Sequence, residues 1–199
     1  MDLLNKNSNP EINDLYRYIK KQYYKNDFDN WRDPLFWENE EWEKYLPIEE
    51  HFRFEKFRNQ ACKKFNKGTM EGYHFVEVLE MIDLKKHKYD WLYENYYLFR
   101  NARPTEGKFF NGTDKVIQII GKSKMEMLHD IVSPLNLKPT EPDLFAFKEN
   151  NNVDNKYDMM FIEVKRDDIL SEKQLLGFQL IKKYLDIPIR VVRYMKRSD

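Results

Sequence analysis

The chain has 199 residues, with 34 Lys and Arg against 34 Asp and Glu, so its formal net charge is zero; this excludes a globally basic nucleic-acid binder but leaves room for local basic patches. Its length suits one domain with an extension, around a core that needs no disulfide or metal staple. A single cysteine, Cys62, excludes an internal disulfide framework and a multi-cysteine zinc site, and an aromatic share of 16% with six glycines marks a chain that folds.

The opening residues MDLLNKNSNPEI lack the apolar run of a secretory signal. No stretch approaches the roughly 18 apolar residues of a membrane span. An intracellular protein without membrane attachment is expected. From Met1 to Glu50 acids outnumber bases, and Trp31, Phe36, Trp37, Trp42 and Tyr45 fall within this acidic stretch. They read as a helical cap burying its rings, so residues 1–66 are expected to form a helical N-terminal extension, ahead of a second unit over 67–199.

The sign then reverses. Phe54, Phe57, Ala61 and Phe65 recur at helical spacing, with Arg53, Lys56, Arg58, Lys63, Lys64 and Lys67 largely around them. A solvated helix face is the ordinary reading; a phosphate-facing stripe is the sharper one. Thr69 to Leu84 reads as a helix, and an aromatic helical stretch follows from Trp91 to Phe99. Arg103 to Gly112 reads as a loop. Two helices, Val116–Ile120 and Lys122–Val132, part near Gly121, and Pro134 and Pro139 end the pattern.

The last sixty residues or so change character. Asp143–Phe147 and Met159–Val164 read as strands, separated by a polar loop. Ser171–Leu185 reads as a helix, and Ile187–Tyr194 as a third strand. Strand, strand, helix, strand, with helices supplied from upstream, is an α/β pattern.

One constellation there carries chemistry. If the first two of these strands pair as a hairpin, Asp143 at the start of one lies beside Glu163 and Lys165 at the end of the other. Side chains two apart share a face, so Glu163 and Lys165 emerge together. Two carboxylates and an ammonium at a sheet end suit phosphodiester hydrolysis: hard oxygen donors hold Mg²⁺ or Mn²⁺, which polarises a phosphate and acidifies a bound water. Lys165 would orient or deprotonate that water, or neutralise charge on the phosphate. The alternative is a cross-strand salt bridge worth about 1 kcal/mol or less. The Asp/Glu-x-Lys pattern also occurs at Asp83–Lys85, Glu106–Lys108 and Asp154–Lys156. Only Glu163–Lys165 ends a strong strand with a Pro-Asp strand upstream.

The run from Glu163 to Gln174 extends that pattern. Pro142-Asp143-Leu144, Glu163-Val164-Lys165, Asp168, Leu170-Ser171, Gln174 and Arg190-Val191-Val192-Arg193 stand in the order of the virus-type replication–repair nuclease (VRR-NUC) signature. The chain over about residues 69–195 resembles that domain, a branch of the PD-(D/E)xK nuclease superfamily, and within it the nuclease domain of the Fanconi-associated nucleases. Met70-Glu71-Gly72-Tyr73 resembles the Glu-Gly helix start that supplies a further acid there. The resemblance implies a restriction-endonuclease-like α/β core, a central mixed sheet flanked by helices, over 67–199. It implies a Mg²⁺- or Mn²⁺-dependent deoxyribonuclease selective for flapped, branched or nicked DNA in repair or recombination. Glu71, Asp143, Glu163 and Val164 are the implied metal positions, Lys165 acts on the attacking water, and Gln174 supports the site from its helix. Arg166 stands where the family often has Gly, and Ile169 where it often has Arg.

Expected DNA contacts are Lys63, Lys64, Arg166, Lys182, Arg190 and Arg193. A second copy of the chain or a repair protein are further candidate partners. A restriction or mobile-element nuclease of the same fold, and a non-catalytic DNA-binding module, are the competing readings. Ser171 and Gln174 also form a capping-box pattern, so both have a structural role in any case. Gly121-Lys122-Ser123 is no phosphate loop, since the required earlier Gly is Val116. His51, His74, His87 and His129 lack paired spacing, and Cys62, Ser133 and Ser171 lack a triad context.

Overall fold

The computed structural model describes residues 14–32, 74–93, 95–100, 108–150, 156–166 and 168–197. In chain order these form β1 (Arg17–Tyr23), α1 (Lys25–Arg32), α2 (Phe75–Lys86), β2 (Asp90–Tyr93), α3 (Lys108–Ile120) and α4 (Lys122–Val132). Then come β3 (Leu144–Glu149), β4 (Tyr157–Lys165), α5 (Glu172–Leu180) with a wider π turn over Ile181–Leu185, and β5 (Ile189–Lys196). The strands make one five-stranded sheet in the order β1-β5-β4-β3-β2. The β2–β3 and β3–β4 pairs are antiparallel, while β5 is parallel to both β4 and β1. The protein is thus an α/β structure with a mixed sheet flanked by helices.

Both sheet faces are covered, which is why β3 and β4 read as nearly continuous apolar runs. Leu144, Ala146, Ile162, Val164, Val192 and Tyr194 point to one face, against Phe75, Val76, Val78, Met81 and Leu84 of α2, with Phe28 of α1 packed beside them. Phe145, Phe161, Ile189 and Val191 point to the other, against Val116, Ile119, Leu128, Phe178 and Ile181 of α3, α4 and the α5 unit. Phe145, Phe161 and Phe178 are wholly buried.

The strand β1 corrects the reading of residues 1–66 as a helical extension. Arg17–Tyr23 pairs with β5 along its whole length. Its inward Lys21 bonds Glu80 at 2.6 Å and Asp83 at 2.7 Å on α2, and Tyr194 donates to the same Glu80. The local pattern RYIKKQY is too polar to announce a strand; its position at the edge of the described sheet tolerates it. The aromatic cap from Phe36 to Tyr45, the basic helix with Lys63 and Lys64, and Glu71 lie outside the described residues.

Two further expectations are corrected. Trp91 to Phe99 is not helical: Asp90–Tyr93 is a strand, and 95–100 is irregular. Trp91, Leu92 and Tyr93 are buried in succession, on both sheet faces, a pattern that a strand satisfies and a helical stripe does not. The loop expected up to Gly112 ends earlier, since α3 starts at Lys108. Gly112 sits within that helix because a Cβ there would collide with the Asn95 carbonyl oxygen; the glycine permits close approach and does not end the helix.

Candidate active site

The site is assembled by strand register. Leu144 pairs with Ile162, so Asp143, one residue before β3, stands level with Glu163. Asp143 Oδ2 accepts the backbone N–H of Val164 at 2.8 Å, which fixes its carboxyl at the end of β4. On the other side, Glu163 pairs with Val191 and Lys165 with Arg193. Alternation puts Glu163, Lys165 and Arg193 on the face covered by α3, α4 and α5, while Val164 turns into the opposite core.

Glu163 has no solvent exposure. Its Oε1 receives Lys165 Nζ at 2.9 Å and Gln174 Nε2 at 2.5 Å, while its Oε2 is buried with no hydrogen-bond partner. Burial, followed by the facing Asp143 carboxylate, pushes the Glu163 carboxyl well above the usual range, against the opposing pull of Lys165. Two facing carboxyls are not both ionised at ease, and a proton or a cation beside them relieves the repulsion.

Lys165 is 6% exposed and also reaches Asp168 Oδ2 at 2.7 Å. Burial alone would lower its ammonium, but Glu163 and Asp168 outweigh that and raise it. The lysine therefore presents a charged ammonium rather than a free amine. A charged ammonium suits orientation of a neighbour or charge neutralisation better than proton abstraction.

Gln174 joins two structures. Its N–H and Oε1 bond Ser171 Oγ and the Ser171 N–H at 3.3 and 2.9 Å, closing the expected capping box at the start of α5. Its Nε2 goes to Glu163, so the same amide anchors the helix and aims the carboxylate. The helix itself is held against the irregular segment leading to Asp143. A Cβ on Gly177 would meet the Thr140 carbonyl oxygen at 2.6 Å, and the Thr140 N–H bonds the Lys173 carbonyl at 3.1 Å.

The remaining expected residues are placed differently. Arg193 stands beside Lys165, its Nε donating to the Arg166 carbonyl at 3.3 Å. Arg166 directs its guanidinium over the Phe28 ring, 5.0 Å from the centroid, toward α1. Arg190 lies on the sheet face opposite Glu163, between Arg17 and Ile162. Lys182 is exposed on the π turn and pairs with Asp186, eight residues past Gln174, or about 12 Å along a helix. The site thus gathers Asp143, Glu163, Lys165, Gln174 and Arg193 with the Val164 backbone, and leaves out Arg166, Arg190 and Lys182 as DNA contacts converging on it. Glu71 lies outside the described residues.

Three participants were not assigned roles from the sequence. Asp168 was legible only as one letter of the motif, yet it is the second carboxylate on Lys165. Glu141 Oε1 accepts the N–H groups of Leu98 and Phe99 at 3.3 and 3.4 Å, tying the irregular 95–100 segment to the Pro142-Asp143 turn. Tyr96 donates to the Pro142 carbonyl at 2.6 Å, and burial with nearby Glu141, Asp143 and Glu163 keeps its phenol protonated. Nothing in the sequence singled out Tyr96 among so many aromatics.

Among the described residues no group of three or more His, Cys, Asp and Glu side chains is placed to hold a metal. The Asp143–Glu163 pair still fits a hard divalent cation. It offers oxygen donors only, one of them a buried Glu163 oxygen without a partner, and Mg²⁺ is commonly held by one or two carboxylates together with substrate phosphates. Compared with protein-family models, curated proteins and solved structures, the chain shows no match. No described helix is long and apolar enough to cross a membrane.

Proposed function

We propose that the protein is a metal-dependent nuclease with a PD-(D/E)xK core of the VRR-NUC type, hydrolysing phosphodiester bonds in DNA. The observation that carries this reading is the Asp143–Glu163 carboxyl pair at a sheet end, with Lys165 Nζ 2.9 Å from Glu163 Oε1. Lys165 neutralises Glu163, and a further carboxylate facing that fully buried one is unfavourable unless something else binds there. The order of parts agrees with the resemblance: Pro-Asp leads into β3, Glu-Val-Lys ends β4, Ser-x-x-Gln starts α5, and the Val-rich β5 closes the sheet.

Asp143 and Glu163 would hold Mg²⁺ or Mn²⁺, with Glu71 a candidate for a further ligand. Such a metal polarises the phosphate and lowers the pKa of a bound water. Lys165 contributes a fixed positive charge where negative charge develops on the phosphate, and Glu163 and Asp168 hold that charge in position. Gln174 keeps Glu163 from turning away, since it holds Oε1 while the buried Oε2 has no hydrogen-bond partner.

Flapped, branched or nicked DNA is the proposed substrate, and repair or recombination the proposed setting. The test is cleavage of a labelled flap duplex with and without Mn²⁺. Metal-dependent product that Asp143→Ala abolishes supports the reading. Equal product with chelator present, or from Asp143→Ala, removes it.

A further inference from the structure

The register places a second row of residues beside the carboxylates. Lys165 on β4 pairs with Arg193 on β5, which pairs with Lys20 on β1. All three fall on the sheet face that carries Glu163. Adjacent strands lie about 4.8 Å apart, so this row of cations runs about 10 Å outward from the carboxylates to the edge of the sheet. Exposure rises along it: Lys165 is buried, Arg193 half-buried and Lys20 exposed. Charges of one sign lined up on adjacent strands oppose sheet pairing unless an anion lies across them. Asp168 already supplies one carboxylate at the inner end, 2.7 Å from Lys165 Nζ. Phosphates of one duplex strand recur about every 3.4 Å along the helix axis, so the row is long enough for two or three of them.

On the nuclease reading above, we infer that Lys20 and Arg193 form a phosphate track holding the strand on one side of the bond to be cut, with Lys20 its outermost contact. The substrate is then an oligonucleotide with several phosphates on that side of the scissile one, not a small phosphodiester. Lys20 belongs to β1, the strand that the motif resemblance does not reach. The edge strand therefore lends the site a binding residue as well as a flank.

The track is tested apart from the chemistry. Fluorescein-labelled flap DNA is titrated with wild type, Lys20→Ala and the control Lys122→Ala, by anisotropy in EDTA across a KCl series. Lys20 and Lys122 are both exposed, so each variant is expected to fold; matched melting curves check this. Lys20→Ala should reduce the salt slope by about one and weaken binding about five- to tenfold near 0.1 M salt, while Lys122→Ala changes neither. With Mn²⁺, Lys20→Ala should raise KM for the oligonucleotide with kcat within about twofold, and hydrolyse bis(para-nitrophenyl) phosphate at the wild-type rate. An unchanged salt slope and affinity would overturn the track and return Lys20 to the role of an edge-strand charge that blocks aggregation. Loss of slope in a protein that cleaves nothing would keep the track and discard the nuclease reading.

Discussion

Gln174 donates to Glu163 across the α5–β4 interface, Nε2 to Oε1, while the opposite end of the same amide closes the helix cap on the Ser171 N–H. Helix start and carboxylate orientation are therefore set by one side chain. Its removal has two separable effects, and Ser171 isolates the first. Ser171→Ala should lower stability by about 1 kcal/mol through the lost cap and leave cleavage largely intact. Gln174→Ala should lower stability by a similar amount and, on the proposed reading, cut cleavage on the order of 10–100-fold, the scale for partners that orient metal-bound carboxylates. Urea unfolding and flap cleavage read the two effects. Loss of cleavage in Ser171→Ala at full stability would make the serine hydroxyl part of the chemistry.

Glu163 is expected to oppose the fold it sits in. Burial and the Asp143 carboxylate raise its carboxyl above the ordinary value, so the folded state favours the protonated form. That contribution to stability is complete below the unfolded value near 4.5 and is lost as pH rises through the folded one. At neutral pH, Glu163→Gln should therefore melt above wild type, with a flatter stability profile from pH 4.5 upward. It should also lose cleavage, and Mn²⁺ should raise the melting temperature of wild type but not of the variant. A variant that melts lower at pH 7 and keeps the Mn²⁺ shift would show that the pair is neither frustrated nor a metal site.

Much of this arrangement was legible in the sequence. The hairpin that brings Asp143 to Glu163 follows from two apolar runs, and the capping box of α5 follows from Ser171 and Gln174 alone. What was not legible depends on long-range pairing. β1 is polar and becomes a strand through β5 and through Lys21 reaching Glu80. Trp91–Tyr93 carries no period that separates strand from helix, and Gly112 looks like a loop residue until Asn95 is seen against it. Arg190 and Arg193 look alike in sequence, yet odd and even positions on β5 place them on opposite faces.

The contribution of β1 is measurable through Lys21. Its side chain is 25% exposed and pairs with that of Glu80, which is 3% exposed. Removing one partner of a fully buried pair costs about 3–5 kcal/mol; partial exposure of Lys21 brings the expected loss for Lys21→Ala down to about 2 kcal/mol. Glu80 would keep only the Tyr194 hydroxyl of its two described donors. The double variant with Glu80→Gln should recover part of that loss. Urea midpoints within experimental error of wild type for Lys21→Ala would mean that β1 frays before the sheet unfolds.

Substitution of Lys165 tests the proposed catalysis apart from binding. It shares its charge between Glu163 Oε1 and Asp168 Oδ2, at 2.9 and 2.7 Å, and is almost fully enclosed. On the proposed nuclease reading, a charge held this way is in place before the phosphate arrives, so its effect should fall on the transition state more than on ground-state affinity. Lys165→Ala should lower kcat by on the order of a hundredfold or more, with DNA affinity largely preserved. Lys85 and Lys156 follow acids at the same spacing elsewhere and are solvent-accessible, so their alanine variants are matched controls. The raised ammonium of Lys165 adds a pH signature: the lysine stays protonated through the neutral range, so no downward step in kcat between neutral and mildly alkaline pH should be traceable to it. Lys165→Arg keeps a cation but not its compact geometry, and should recover only part of the rate. Wild-type turnover in Lys165→Ala would reduce the Glu163–Lys165 pair to a salt bridge at a sheet end and leave the carboxyl pair without a catalytic role.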